Sequence, residues 1–514
     1  MSKRKNSNIW KELKSELLSH KLIYLFLSLI LAGGFIVRVY NIDATLGFYF
    51  DQGRDALVIW DLWKNGKFFL IGPTTGIAGI FRGPFYYYLI APFYILGQGD
   101  PVWPSVFLSF TTVVAGGLLY YLGFKFQNRV AGLTAAIITS FSFHLVESSR
   151  WLSNPTPMML LSVLLILMMW LASKGSKIAW PAISFIFGLS LFHFGSSGEI
   201  FYLPALIIFA SWLYKKQGFG KRESSINKKT IILSVLLFLI TMLPQIVFDI
   251  RHEGILRSGI REFVTEGEKS VLTPNLFFKQ RFESYYNIFT NKIFDARSSR
   301  ELVILSIVGV SFFLFFFKLS KSVGVKVLTL LLLSPIVGFL FFKGNYGNLY
   351  DYYFTGYYFV FVLLFAIVVG FLWRYWFGKI FVIYFFAIFL QSNISLLVPR
   401  YVDYSVGPHT IIMKNQLEAI DWIYKDANGQ EFNIDYYVPP VIPHAYEYLT
   451  KWYGLKKYGY IPKDSQLNIL YTLQEVDPSH PDRVEEWRSR QQGIGDIQES
   501  VKFGGILVER RKRI

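Results

Sequence analysis

Long apolar runs separated by short basic loops constrain this chain more than any of its other features. The runs fall at roughly 22–40, 102–122, 130–146, 157–173, 178–193, 199–214, 230–248, 301–317, 327–342, 356–373 and 379–398. A helix needs ~20 apolar residues to cross a hydrocarbon core of ~30 Å, so several runs are at or below a full crossing and their ends are soft. Charged residues make up 17% of the chain, against ~25% in soluble domains. The expected fold is a polytopic all-α membrane protein with about 11 transmembrane helices over residues 1–398. The net charge of +17 does not point to nucleic acid, because the Lys and Arg residues cluster in the short loops, as they do in membrane proteins oriented by positive charge. With no Cys, disulfides, thiolate metal sites and cysteine nucleophiles are excluded.

Loop charge sets an expected orientation. With the N-terminus in the cytoplasm beside Lys3, Arg4, Lys5, Lys11 and Lys14, alternate loops carry Lys125 and Arg129; Lys174 and Lys177; Lys215, Lys216, Lys221, Arg222, Lys228 and Lys229; Lys318, Lys321 and Lys326; and Arg374 and Lys379. All five fall inside, as the positive-inside rule requires. The segment Met1–His20 is basic and amphipathic, and the apolar run after it has no small-residue cleavage site, so that run is expected to be a retained first span. The alternation holds only if the apolar stretch 84–97, interrupted by Pro92, is an interfacial or re-entrant helix. Segments 41–101 and 249–300 are then long external loops. The polar tail 399–514 is expected to be a small α+β extracytoplasmic domain, helical near 411–424 and extended near 432–438, 467–473 and 505–509.

Several external residues are candidates for chemistry. Asp51, in Phe50-Asp51-Gln52-Gly53-Arg54-Asp55, lies just past the first span, where it would serve as a general base on an acceptor hydroxyl or merely cap a short helix. In His144-Leu-Val-Glu147-Ser-Ser-Arg150-Trp151-Leu-Ser-Asn154-Pro155, Arg150 would hold a phosphate oxygen or simply pair with Glu147. His193 and Glu199 flank Gly195-Ser-Ser-Gly198, and a lone His at a helix end is more often structural than catalytic. Arg82 precedes the interfacial helix, where it would meet an anionic head group. Loop 249–300, with Arg251, His252, Arg257 and Arg261 followed by Glu262, Glu266 and Glu268, is expected to be a mobile substrate loop or a solvated one.

There is no Walker-type loop, Rossmann fingerprint or DxD-type nucleotide-sugar site. No cofactor or metal site is called for, and a metal requirement stays open. Chemistry on the outer face has no cytoplasmic nucleotide to draw on. An activated substrate carried by the membrane, such as a polyprenyl-phosphate sugar, meets that need.

The motif Asp51-Gln52-Gly53-Arg54-Asp55, the segment Arg82-Gly83-Pro84-Phe85-Tyr86-Tyr87, the small-residue pair Tyr120-Tyr121-Leu122-Gly123 and Ala131-Gly132-Leu133, and Ser149-Arg150 together resemble the GT-C superfamily of glycosyltransferases. The nearest likeness is family 39, with its protein O-mannosyltransferase and aminoarabinose-transferase relatives. It covers roughly residues 20–400. The resemblance implies a glycosyltransferase of the cell membrane that moves a sugar, with inversion, from a polyprenyl-phosphate donor to a lipid, glycan or protein acceptor. It implies Asp51 as base, with Arg82, Arg150 and Arg54 as candidates for the donor phosphate. Two departures stand out: Gln52 replaces an expected second carboxylate, and Asn154 stands near an expected Asp. Asp55, Glu147, Asn154 and His193 are the supporting candidates. The alternatives are a transporter or flippase of a lipid-linked or anionic solute, and a structural protein binding envelope glycans. Internal repeats and mid-span charges, which transporters show, are not evident.

Overall fold

A computed structural model of the chain describes residues 16, 18–77, 79–218, 224–266, 274–295, 298–342, 347–404, 406–439 and 442–514. The orienting cluster Lys3, Arg4, Lys5, Lys11 and Lys14, together with Lys221, Arg222 and Glu268, lies outside the described residues, as does the side chain of Glu266.

Apolar runs become helices wherever they are uninterrupted. Among the described residues, five helical stretches are long and apolar enough to cross a membrane: Lys21–Val39, Val102–Phe126, Lys228–Arg251, Asp351–Leu372 and Trp376–Val402. The pair Arg129–Phe141 and Phe143–Arg150, bent by 59°, makes a sixth if counted as one span. Runs expected at 157–173, 178–193 and 327–342 form the shorter helices Met158–Ser173, Ala179–Phe194 and Val323–Phe339. Those at 199–214 and 301–317 form Tyr202–Gln217 and Ser299–Leu314. Between Ala179–Leu189 and Tyr202–Gln217 the chain changes pitch, at the π turn Ser190–Phe194 and the 3₁₀ turn Gly198–Phe201. Segment 84–97 is a helix, Phe85–Leu96. Among its described residues, segment 249–300 holds the helices Ile255–Glu266 and Pro274–Thr290.

The bend at Ser142 has a direct cause. Ser142 is extended (φ −66°, ψ 126°), so the Phe143 N–H loses its helical acceptor. The buried Asn393 supplies one: its side-chain oxygen accepts from Phe143 N at 2.8 Å, while its amide donates to Ile293 O at 3.1 Å. The segment expected as a loop from His144 therefore begins as a short helix, Phe143–Arg150, bent from the one before it.

Burial ranks the helices. In the stretch Asp351–Leu372, 94% of the apolar window is buried, against 6% in Lys228–Arg251; the first is the axis of the bundle and the second its lipid-facing rim. Small residues let helices touch: a Cβ on Gly123 would lie 2.8 Å from Gly132 Cα, the close backbone contact that membrane helices use in place of a hydrophobic drive. Arg38, buried in the first span, donates to Thr112 Oγ1 (3.0 Å), Gly34 O (2.8 Å), Ser140 O (2.9 Å) and Thr139 O (2.5 Å). It ties three helices together, and its donors are satisfied as an apolar interior demands.

The tail folds as a small sheet domain. Helix Met413–Ala427 packs on four strands, β1 (Asn433–Tyr437), β2 (Ile469–Glu475), β3 (Gly495–Phe503) and β4 (Ile506–Arg513), in the order β1-β2-β4-β3. β1 runs parallel to β2, with Ile434 opposite Tyr471, and β4 is antiparallel to both neighbours, with Leu473 opposite Val508. The expected helix and three strands are present. The helix Pro481–Gln492 and β3 were not expected. β3 is an edge strand with a mostly exposed, polar sequence, so no apolar alternation announces it.

Candidate active site

The helix Phe50–Asn65 carries the acidic motif. Its start is shaped by Gln52, whose side-chain oxygen accepts from Tyr49 N at 3.1 Å while its amide donates to Leu152 O at 3.1 Å. A carboxylate could accept the first bond but not donate the second. This explains why an amide stands where a second acid was expected: it binds the motif to the segment after Arg150. Asp51 sits in the first turn, where the helix dipole favours an anion. Its side chain is 53% exposed and meets Arg54 Nη1 at 2.8 Å. Arg54 also grips Asp55 through Nε (2.9 Å) and Nη2 (2.8 Å), and Asp55 accepts from Tyr87 OH at 3.1 Å. Burial pushes the Asp55 carboxyl up to about 6, against the pull of Arg54. Asp55 is thus the buried anchor of Arg54, and Asp51 the open end of the same chain of charges.

The sheet domain braces this helix. Tyr49 OH donates to Ile411 O (3.1 Å), Met413 N to Leu46 O (2.9 Å) and Gln416 Nε2 to Phe48 O (2.9 Å). Gly53 is required here, because a Cβ on it would collide with the backbone of His444 and Ala445.

Beside the motif opens a cleft of about 420 Å³, walled by Tyr49, Trp151 and Tyr352 among aromatics and by His144, Glu147, Arg150, Asp351 and Arg400 among ionisable residues. Asp51 lies two residues along the chain from the wall residue Tyr49, which puts the motif next to the cleft. Arg150 does not pair with Glu147. Its guanidinium lies 4.0 Å over the Tyr401 ring and donates to Arg38 O (3.0 Å), Tyr40 O (3.0 Å) and Thr45 Oγ1 (2.5 Å). Glu147 instead takes Arg400 Nε at 3.1 Å and the Tyr401 hydroxyl. His144 Nε2 meets Asp295 at 2.6 Å.

Other expected residues are elsewhere. Phe85 N donates to His193 Nδ1 (3.4 Å), so the ring proton is on Nε2, which donates to Thr241 O at 2.7 Å. The ring stacks on Phe85 with centroids 4.1 Å apart. Glu199, fully buried, accepts from Ser196 N (2.7 Å) and Gly356 N (3.2 Å). Arg82 Nη1 reaches Leu191 O at 3.4 Å, and Asn154 Nδ2 donates to Phe194 O at 3.2 Å. The cleft wall therefore includes Glu147 and Arg150 but not Arg54, Asp55, Arg82, Asn154, His193 or Glu199. Of these, Arg82, Asn154, His193 and Glu199 make the backbone bonds just described, while Arg54 and Asp55 form the ion-pair chain behind Asp51. Among the described residues, no group of three or more His, Cys, Asp or Glu is placed to hold a metal.

Asp351, Tyr352 and Arg400 went unnoticed in the sequence. Asp351, a lone acid in an aromatic cluster just before an apolar run, carries the same signal that singles out Asp51.

No family model matches the chain, and no curated protein sequence matches it. Solved structures do. ArnT from Cupriavidus metallidurans bound to undecaprenyl phosphate superposes with a TM-score of 0.59 at 10% identity, over 95% of this chain and 98% of that one. The same protein in its apo state gives 0.61 at 9% identity, over 96% and 98%. The archaeal oligosaccharyltransferase AglB from Archaeoglobus fulgidus, in complex with an inhibitory peptide and a dolichol-phosphate, gives 0.48 at 11% identity, over 95% and 74%. The chain shares the fold of ArnT.

Proposed function

We propose that this GT-C-fold chain is a membrane glycosyltransferase that takes a sugar from a polyprenyl-phosphate donor and passes it, with inversion, to an acceptor on the extracytoplasmic face. The observation that carries this is the open cleft beside the motif helix, with Arg150 and Arg400 in its wall and a half-exposed Asp51 two residues on from the wall residue Tyr49. ArnT, the similar structure, was crystallised with undecaprenyl phosphate. In this reading residues 1–398 form the transferase unit, and the sheet domain from 399 stands on the outer face with the cleft.

Asp51 accepts the proton of the acceptor nucleophile as that atom bonds the anomeric carbon. The carbon–oxygen bond to phosphate breaks on the opposite side, and polyprenyl phosphate leaves with the electron pair. Arg54 holds Asp51 through one oxygen, which leaves the other for the acceptor. Arg150 and Arg400 meet the charge that develops on the departing phosphate, while Tyr49, Trp151 and Tyr352 offer ring faces to the sugar.

The test is Asp51→Asn. Release of undecaprenyl phosphate from undecaprenyl-phosphoryl sugars should fall by ~10²–10⁴, with lipid binding and thermal midpoint retained. Normal turnover in that variant would end the proposal.

A further inference from the structure

Two acids line the cleft wall, and they are held differently. Glu147 is engaged by Arg400 and Tyr401. Asp351 is gripped from behind by a cation that is itself out of reach: Lys292 Nζ donates to both carboxylate oxygens at 2.9 Å, and Tyr358 OH donates to one of them at 2.6 Å. The Lys292 side chain is 1% exposed and that of Asp351 51%. The ammonium lies 4.1 Å over the Tyr358 ring, which completes its surroundings. The pair is thus one-sided, with the cation sealed in the bundle and the anion turned to the cleft.

Burying a lysine carries a desolvation cost, and an ion pair that only braced helices could be exchanged for apolar side chains with little loss. What apolar residues could not supply is a rigid carboxylate with lone pairs facing the cleft. Aromatic faces stand beside it: Tyr352 is its chain neighbour, and Trp151 meets Tyr352 edge-on at 6.0 Å. A fixed acceptor next to aromatic faces suits a sugar ring, whose C–H face packs on the rings while neighbouring hydroxyls donate to the acid.

We propose that Asp351 is a specificity-determining residue that reads neighbouring hydroxyls of a sugar ring seated in the cleft. This rests on the transferase reading. The ring belongs either to the lipid-linked donor or to a saccharide acceptor; the chemistry is shared, and the experiment separates the sources.

Full-length protein in nanodiscs is titrated with three probes: undecaprenyl phosphate, undecaprenyl phosphate carrying glucose, mannose or galactose, and the corresponding free methyl glycosides with undecaprenyl phosphate present. The wild type should bind at least one sugar-bearing probe with an affinity that the sugar-free lipid does not explain. Asp351→Asn should lose that sugar increment by about 10- to 100-fold, the loss of a hydrogen bond to a charged group, with sugar-free undecaprenyl phosphate bound as before. A loss on the lipid-linked sugar assigns the donor, and a loss on the free glycoside assigns the acceptor. Asp351→Asn leaves Lys292 without a counter-ion, so Lys292→Met with Asp351→Asn is measured beside it. The double variant keeps the packing without a buried charge and should show the same selective loss. A merely structural pair would weaken all three probes together or none, and either result overturns the assignment. A wild type that gains nothing from any sugar overturns it too. If the wild type fails to bind even undecaprenyl phosphate, the transferase reading falls first and this inference with it.

Discussion

The cleft wall and the node beneath Arg82 hold similar residue types and differ in where their partners lie. In the wall, Arg400 holds Glu147 and Lys292 holds Asp351, and beside it Arg54 holds Asp51, each from one side, with carboxylate surface left open. In the node, His193 and Glu199 are fully buried, and their polar atoms are taken up by Thr241 O, Phe85 N, Ser196 N and Gly356 N. Side-chain pairing from one side leaves an acid available to a ligand. Backbone bonding from all sides turns the same acid into a strut. Direction of pairing, more than residue type, separates a candidate for chemistry from a structural group.

The sharpest way to break that contrast is to neutralise one acid in each region. Asp51→Asn should cost ~10²–10⁴ in turnover and little stability. Glu199→Ala should do the reverse. It strands two buried N–H groups, each costing ~1–3 kcal/mol, so the thermal midpoint falls while turnover per folded molecule stays near wild type. Equal turnover losses in the two variants would erase the distinction. Gly83→Ala probes the node sterically: its Cβ would fall within the His193 ring, and such overpacking costs ~1–3 kcal/mol. A variant with an unchanged midpoint would mean the stacked His193 moves freely. Arg150→Ala should weaken binding of undecaprenyl phosphate about 10- to 100-fold, as loss of a charge-assisted hydrogen bond does. It should also lower stability, because Arg150 bonds three protein acceptors. Lipid affinity read on the folded fraction and found unchanged would remove Arg150 from the phosphate role.

Much of the fold was legible because a membrane span is a property of local composition. The run at 102–122 needed no tertiary knowledge, and neither did the charge pattern of the loops. What stayed hidden depends on distant partners. The break at Ser142 is stabilised by the bond from Phe143 to Asn393, 250 residues on, and nothing near Ser142 announces it. The site divides the same way. Asp51 could be picked out because its motif is local. Asp351 carries a local signal of the same kind, but it and Arg400 reach the cleft only when the chain closes, and no spacing links them to Asp51. Gln52 looked like a missing acid until its two-way bonding to Tyr49 and Leu152 gave the amide a purpose.

The smallest effect extends the contrast into the sheet domain, where Glu475 closes a narrow gap against Tyr49 and Phe50 at the foot of the motif helix. Its side chain is buried, and the group that donates to it, the Tyr446 hydroxyl (2.7 Å), is neutral. Burial pushes its carboxyl from near 4.5 up to about 7. The folded state therefore holds this proton more tightly than the unfolded one. Below the unfolded value both states are protonated and nothing is lost. Between about 4.5 and 7 the unfolded chain releases the proton and the fold does not, so stability falls as pH rises. Above that window both are ionised and the full penalty stands. Glu475→Gln removes the ionisation, so its thermal midpoint should lose this slope and exceed the wild type on the alkaline side of the window. A variant that kept the wild-type slope would mean Glu475 is already an anion in the fold at low pH. That would require a cationic partner like the one Lys292 provides for Asp351, and burial with neutral partners would no longer mark a strut.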